Sequence, residues 1–180
     1  MIELLFALRK YCLDALKDLS LESKDRGDLP SVKGFIGEIP GETELPRASD
    51  FPLLIFRLTN FEDPESATTS VLTVRIIVGT YCSEESNDDK CSPGYHDLLN
   101  MLQRLRQSLL KDCDMGDKWR RVGKIEGGPF ELQAYPYWFG DIILQYDERQ
   151  LTEEFSEEEE IDIYGTGYGN DNTENWQYPK

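Results

Sequence analysis

The sequence predicts an α+β fold, an antiparallel β-sheet with two α-helices packed on one face. Three observations lead there. Two segments carry apolar residues at three- and four-residue steps, and a segment between them alternates so that one face is wholly apolar and the other partly polar. The chain order is helix, strands, helix, strands, and most strand-to-strand connections are too short for a parallel crossover. Each helix needs a surface on which to bury its stripe, and one face of a sheet supplies it.

The first helix is expected over Ile2 to Leu19, where Leu5, Leu8, Cys12, Leu16 and Leu19 form the stripe. Glu3 near its start and Lys17 near its end suit the helix dipole. Ser20 to Pro30 is polar and punctuated by Gly27 and Pro30, a loop. Ser31 to Ile39 reads as a strand weakened by Gly34 and Gly37, and Leu53 to Leu58 as a short dense one. The polar run after it contains Pro64, which has no N–H to give a sheet and so marks a connection. Val71 to Tyr81 is the clearest strand: Leu72, Val74, Ile76 and Val78 make one apolar face, and Thr73 and Arg75 lie on the other. After a charged loop, Ser92 is placed to cap a second helix with Pro93 at its first position. That helix runs to about Asp112, with Tyr95, Leu98, Leu99, Leu102, Leu105 and Leu109 as its stripe. Trp119 to Ile125, Phe130 to Ala134 and Tyr137 to Tyr146 supply the last strands.

Two domains of unequal kind follow: an α+β domain over residues 1–147 and an acidic, flexible tail over 148–180, too poor in aliphatics to offset chain entropy. The formal charge of −16 divides between them. Asp147 to Lys180 holds eleven acidic residues against Arg149 and Lys180 and so carries −9, leaving −7 for the body. A surface of this sign repels a phosphate backbone, so affinity for DNA or RNA is not expected. No stretch approaches the ~20 apolar residues of a membrane span, and no secretory signal is visible.

No reaction chemistry emerges from the residues. Cys12, Cys82, Cys91 and Cys113 form no CxxC and His96 is the single histidine, so a zinc site is not offered. The cysteines read as reduced structural thiols, with a Cys82–Cys91 bridge as the less favoured alternative. His96 and Asp97 are neighbours on a helix and do not face each other, so they make no base–orienter pair. Ser83 to Lys90 has acidic and amide groups without the alternating spacing and central glycine of an EF-hand loop. The glycines from Gly165 to Gly169 lack the flanking strand and helix of a dinucleotide fingerprint. No cofactor, metal or catalytic residue is assigned, and the chain is not expected to be an enzyme.

The aromatic run Gln133 to Asp147 has a different meaning. Trp138, Ile142, Leu144 and Tyr146 share one face of a strand, and Tyr137, Phe139 and Ile143 share the other. A strand apolar on both faces is covered on both. Helices cover one, and in a chain this small a neighbouring subunit covers the other. Tyr137, Trp138, Phe139, Ile143 and Arg75 are the interface candidates.

The segments PLLIFRLTNFEDPESATTSVLTVRIIVGTY, GYHDLLNMLQRLRQSLLKD and AYPYWFGDIILQYD, in that order between Phe51 and Asp147, resemble the tail terminator family of long-tailed bacteriophages, also called head–tail joining or tail completion proteins. The resemblance implies a virion structural protein, a small α+β subunit assembling into a homo-hexameric ring. That ring caps the tail tube, ends its growth and meets the connector or stopper of the head. It would be built in the host cytoplasm, with DNA passing through its centre without specific binding. The acidic loop from Cys82 to Cys91 and the tail are additions to the family pattern. Another class of protein shares the charge, an acidic DNA mimic that inhibits a DNA-binding protein. It would need its acids at phosphate-like spacing on a rigid surface, whereas more than half of the charge lies in the tail. Tyr164, Tyr168, Trp176 and Tyr178 leave two readings of that tail open, a solubilising segment or one that orders on a partner through aromatic anchors.

Overall fold

The structure is a computed structural model that describes residues 1–21, 31–39, 46–63, 69–83, 92–112, 114–116 and 118–149. They belong to one compact unit, Met1–Gln150. The expected tail therefore lies outside the described residues from Gln150 onward. So do Cys91, Cys113, the glycine run, the acidic loop from Glu84 to Cys91 and the Cys82–Cys91 bridge.

Helix α1 spans Ile2–Ala15, and strand β1 is Lys33–Ile36. A hairpin of β2 (Leu53–Glu62) and β3 (Thr69–Tyr81) precedes α2 (Pro93–Lys111). A short β4 (Asp114–Met115) leads into β5 (Trp119–Pro129) and β6 (Tyr137–Arg149). The six strands form one sheet in the order β1-β2-β3-β6-β5-β4. An α+β fold with two helices on one face is what the sequence predicts. The sheet is mixed, however, because β1 pairs parallel to β2 while every other pair is antiparallel. The connection from Gly37 to Pro52 is long enough to return the chain to its starting end, as a parallel pair requires.

Both helices pack on the face made by Leu54 and Phe56 of β2, Leu72, Val74, Ile76 and Val78 of β3, and Ile142, Leu144 and Tyr146 of β6. The α1 stripe puts Leu4, Leu5, Leu8, Cys12 and Leu16 into this core, and α2 adds Leu98, Met101, Leu102, Leu105 and Leu109. Each such side chain taken from water contributes about 1.5–3 kcal/mol before entropy is set against it. Helix α1 touches β1 at one edge of the sheet and β4 at the other, so the sheet curls around it. The helices are also tied to each other. Arg104 Nε donates to the Ala15 carbonyl at 2.8 Å, satisfying an acceptor at the C-terminal end of α1. The Tyr11 hydroxyl lies 2.7 Å from both the Ser108 carbonyl oxygen and Asp112 Oδ2.

Several boundaries differ from the sequence reading. Helix α1 stops at Ala15, and Leu16 and Leu19 still reach the core from the turn beyond it. β2 continues to Glu62 because its polar end is exposed, and an exposed strand end needs no apolar residues. Ser92 stands at the N-cap of α2 without a side-chain capping bond. The start of α2 is held instead by Thr80 Oγ1, which donates to the buried Gly94 carbonyl at 2.7 Å. Gly94 is there because a methyl group would overlap the Trp138 indole and sit 2.8 Å from Cys82 Cβ. Lastly, β5 runs unbroken through Gly127 and Gly128, and Phe130 to Ala134 is loop rather than strand.

Cys12 is fully buried among leucines, and this burial pushes its thiol up to about 12. The reactive thiolate is therefore suppressed in the folded protein. In the unfolded chain the thiol ionises near its ordinary value, so this group contributes stability below about pH 9 that is lost as pH rises toward 12. Alkylation of Cys12 by iodoacetamide at pH 8, followed by peptide mass spectrometry, is expected only in step with urea unfolding. Rapid modification of the native protein would contradict this.

Candidate interaction surface

Strand alternation sends the other half of each strand away from the helices. At one end of this second face Phe51, Leu53 and Ile55 are buried, with Phe35, Ile39, Ile77, Tyr81, Tyr137 and Phe139 packed around them. The aromatic rings interlock. Phe51 lies 5.4 Å from Tyr137, 5.7 Å from Phe139 and 6.2 Å from Tyr81, and Tyr81 lies 5.3 Å from Tyr137, centroid to centroid. Phe51 is closed off, while the three rings around it stay half-buried and form the outer surface of the cluster.

Beyond the aromatics the same face turns polar. Arg57 and Arg75 sit directly opposite each other on β2 and β3, a juxtaposition of like charges that disfavours pairing unless each is compensated. Arg75 Nε donates to Asp141 Oδ2 at 2.7 Å, and its guanidinium stands 5.5 Å from the Phe130 ring centroid. Arg57 Nε donates to the Gly37 carbonyl at 2.6 Å. Ile143 of β6 lies opposite Arg75 of β3 and opposite Glu126 of β5.

Four of the five sequence-derived candidates, Tyr137, Phe139, Ile143 and Arg75, therefore share this face. Trp138 does not. It belongs to the helix side, where its ring lies 5.7 Å from Tyr95 of α2 and against Gly94, so its contacts are internal. The even positions of β6 all turn that way, and grouping Trp138 with its odd neighbours was incompatible with the pleat. The expectation that a neighbour covers the whole second face also needs correction. Its aromatic end has a small core of its own, to which Ile39 and Phe51, from the connection between β1 and β2, contribute.

The loop from Phe130 to Pro136 borders the surface and is shaped by one residue the sequence reading missed. Gln133 Nε2 donates to the Phe130 and Phe139 carbonyls at 2.7 and 2.8 Å, and its Oε1 accepts from the Phe139 N–H at 2.7 Å. A side-chain amide thus serves as a strand partner at the end of the hairpin. The Tyr135 hydroxyl ties the loop to the Ser83 carbonyl at 2.6 Å, and Leu132 at its tip is 91% exposed. No sequence pattern marks Gln133, since an amide among polar loop residues has no distinctive spacing. Gln133→Ala leaves the Phe139 N–H without its partner and is expected to cost about 1–2 kcal/mol, read as a lower urea midpoint with an unchanged slope.

Charge is distributed in a way the sequence alone did not reveal. The described residues hold fifteen acidic and fifteen basic side chains and sum to zero. The whole of the −16 lies outside them, in the connecting segments and residues 150–180. The acidic excess counted for the body is thus carried by its connecting segments. His96, half-buried, has Nδ1 3.3 Å from Asn100 Nδ2 one turn along α2. Among the described residues no group of three His, Cys, Asp or Glu side chains could hold a metal ion, and no helix is long and apolar enough to cross a membrane. Compared with known proteins, the chain matches no family model and no curated protein.

Proposed function

We propose that this chain is a virion structural subunit of the tail terminator kind. It closes a homo-hexameric ring on the finished tail tube, ends tube growth and presents the opposite side of the ring to the head connector or stopper. DNA passes through the ring without being bound specifically. The ring is assembled in the host cytoplasm and resides at the tail–head junction. The observation that carries this reading is the second sheet face. The helices use one side of the sheet, and the other offers half-buried Tyr81, Tyr137, Phe139 and Ile143 beside Arg57 and Arg75, with no helix over them among the described residues. Aromatic and arginine side chains together are the composition of a protein–protein anchor. A ring needs two different patches per subunit meeting head to tail. The acidic balance of the chain suits a channel that must not retain a phosphate backbone.

Purified protein alone and mixed with tail tubes, imaged by negative stain, tests the reading. Rings at tube ends and tubes of uniform length are expected. Tubes of unlimited length, with the protein absent from their ends, would refute it. Competition with DNA for a cellular enzyme in place of ring formation would point to the acidic mimic.

A further inference from the structure

Building on the ring reading, we propose that the outer side of helix α1 is the second patch of the ring contact. It seats on the aromatic sheet face of the next copy, with Asp14 beside Arg57 of that copy. The motive lies in α1 itself. Ile2, Leu4, Leu5, Phe6, Ala7 and Leu8 run round every side of its first two turns, and a helix apolar all round is one that is covered all round. Of these the subunit buries only Leu4, Leu5 and Leu8. Ile2 and Phe6 are each 54% exposed. With Lys10 and Asp14, at four-residue steps, they make one exposed row along the helix.

Position, charge and spacing choose the occupant. Helix α1 packs on one side of the sheet and the aromatic cluster lies on the other, so the sheet and its core separate the two patches within one copy. They meet only between copies, and a contact between unlike patches on opposite sides is heterologous, as a ring requires. On the sheet face Lys33 and Arg75 are paired with Asp50 and Asp141, whereas Arg57 reaches only the Gly37 carbonyl. Neither Arg57 nor Asp14 has an ion-pair partner among the described residues. Spacing then sets the register. Ile2 to Asp14 is twelve residues of helix, about 18 Å. From the Tyr81–Tyr137 pair to the Arg75–Ile143 pair beside Arg57 is six residues of strand, about 20 Å. With Asp14 at Arg57, Lys10 falls level with Ile77 and Asp141, Phe6 with Phe139, and Ile2 with Tyr81 and Tyr137. Apolar side chains then meet aromatic rings, and each charge meets its opposite.

The test follows the assembly of full-length chains by light scattering across a dilution series. Phe6→Asp is expected to give monomer mass at concentrations where the wild type assembles. Asp14→Arg and Arg57→Glu should each raise the dissociation constant about tenfold. Melting temperatures should stay close to wild type, because all three side chains are exposed. The double variant Asp14→Arg, Arg57→Glu exchanges the two charges and should return the constant to within about threefold of wild type. Assembly unmoved by Phe6→Asp and Asp14→Arg, or a double variant no tighter than either single one, would overturn the inference. The ring itself would stand in that case if Tyr137→Asp still dissociates it. A wild-type chain that never assembles would overturn the ring reading and this inference together.

Discussion

Gly127→Ala is expected to be the most damaging single-methyl substitution in the protein. Gly127 has a φ of +138°, a conformation that residues with a side chain rarely adopt. A methyl group there would also overlap the Asp141 carbonyl oxygen and lie 2.9 Å from its carbonyl carbon and from Ile142 Cα. Those atoms are backbone of β6, so no rotamer change can make room. Relief would require β5 to separate from β6 around the Gly127–Ile142 pair, next to the buried Asp141 that holds Arg75. Strain and clash act together, and a loss of about 3 kcal/mol or more is expected. For a chain of this size that is a fall of about 6–12 °C in melting temperature. Calorimetry checks it, and Gly128→Ala is the internal control. A methyl group at Gly128 meets nothing within 4 Å, so that variant should melt within about 2 °C of wild type. Equal behaviour of the two would show that β5 does not take this path.

On the proposed ring reading, Tyr137→Asp and Ile143→Asp are expected to abolish assembly while leaving the subunit folded. Both side chains are half-buried on the second sheet face, at its aromatic and polar ends. A carboxylate there stays hydrated in the lone subunit and would be buried unpaired in the ring. That costs about 2–5 kcal/mol per contact, or about 30-fold to several thousand-fold in each dissociation constant. The loss recurs at every interface of a closed ring. Light scattering should give monomer mass for both variants at concentrations where the wild type assembles. Far-ultraviolet circular dichroism should be unchanged. Ile143→Asp is the stricter test, because Tyr137 also packs on Phe51 and Tyr81 within its own subunit. Intact assembly in both variants would remove this face from the interface.

The contrast between the two faces of β6 shows how far periodicity carries. Ile142, Leu144 and Tyr146, with Ile76, Val74 and Leu72 across from them, are legible as core because alternation states which residues share a side, and only one side of this sheet is buried throughout. Alternation does not state what stands on each side. Trp138 shares a face with Ile142 and Leu144 yet stands among the interface candidates, and it is Tyr95 and Gly94, more than forty residues earlier in the chain, that occupy it. Gly127 and Gly128 read as a break between strands, and they are strand because a glycine at 127 lets β5 follow β6 where a side chain would collide.

From the residues alone came the α+β class, the two helical stripes and the central strand, all of which depend on local spacing and side-chain type. Tertiary structure alone decided the parallel placement of β1, the role of Gln133 as a strand partner and the internal contacts of Trp138. These depend on which distant segments meet, and such meetings are set by long-range packing that no local pattern encodes.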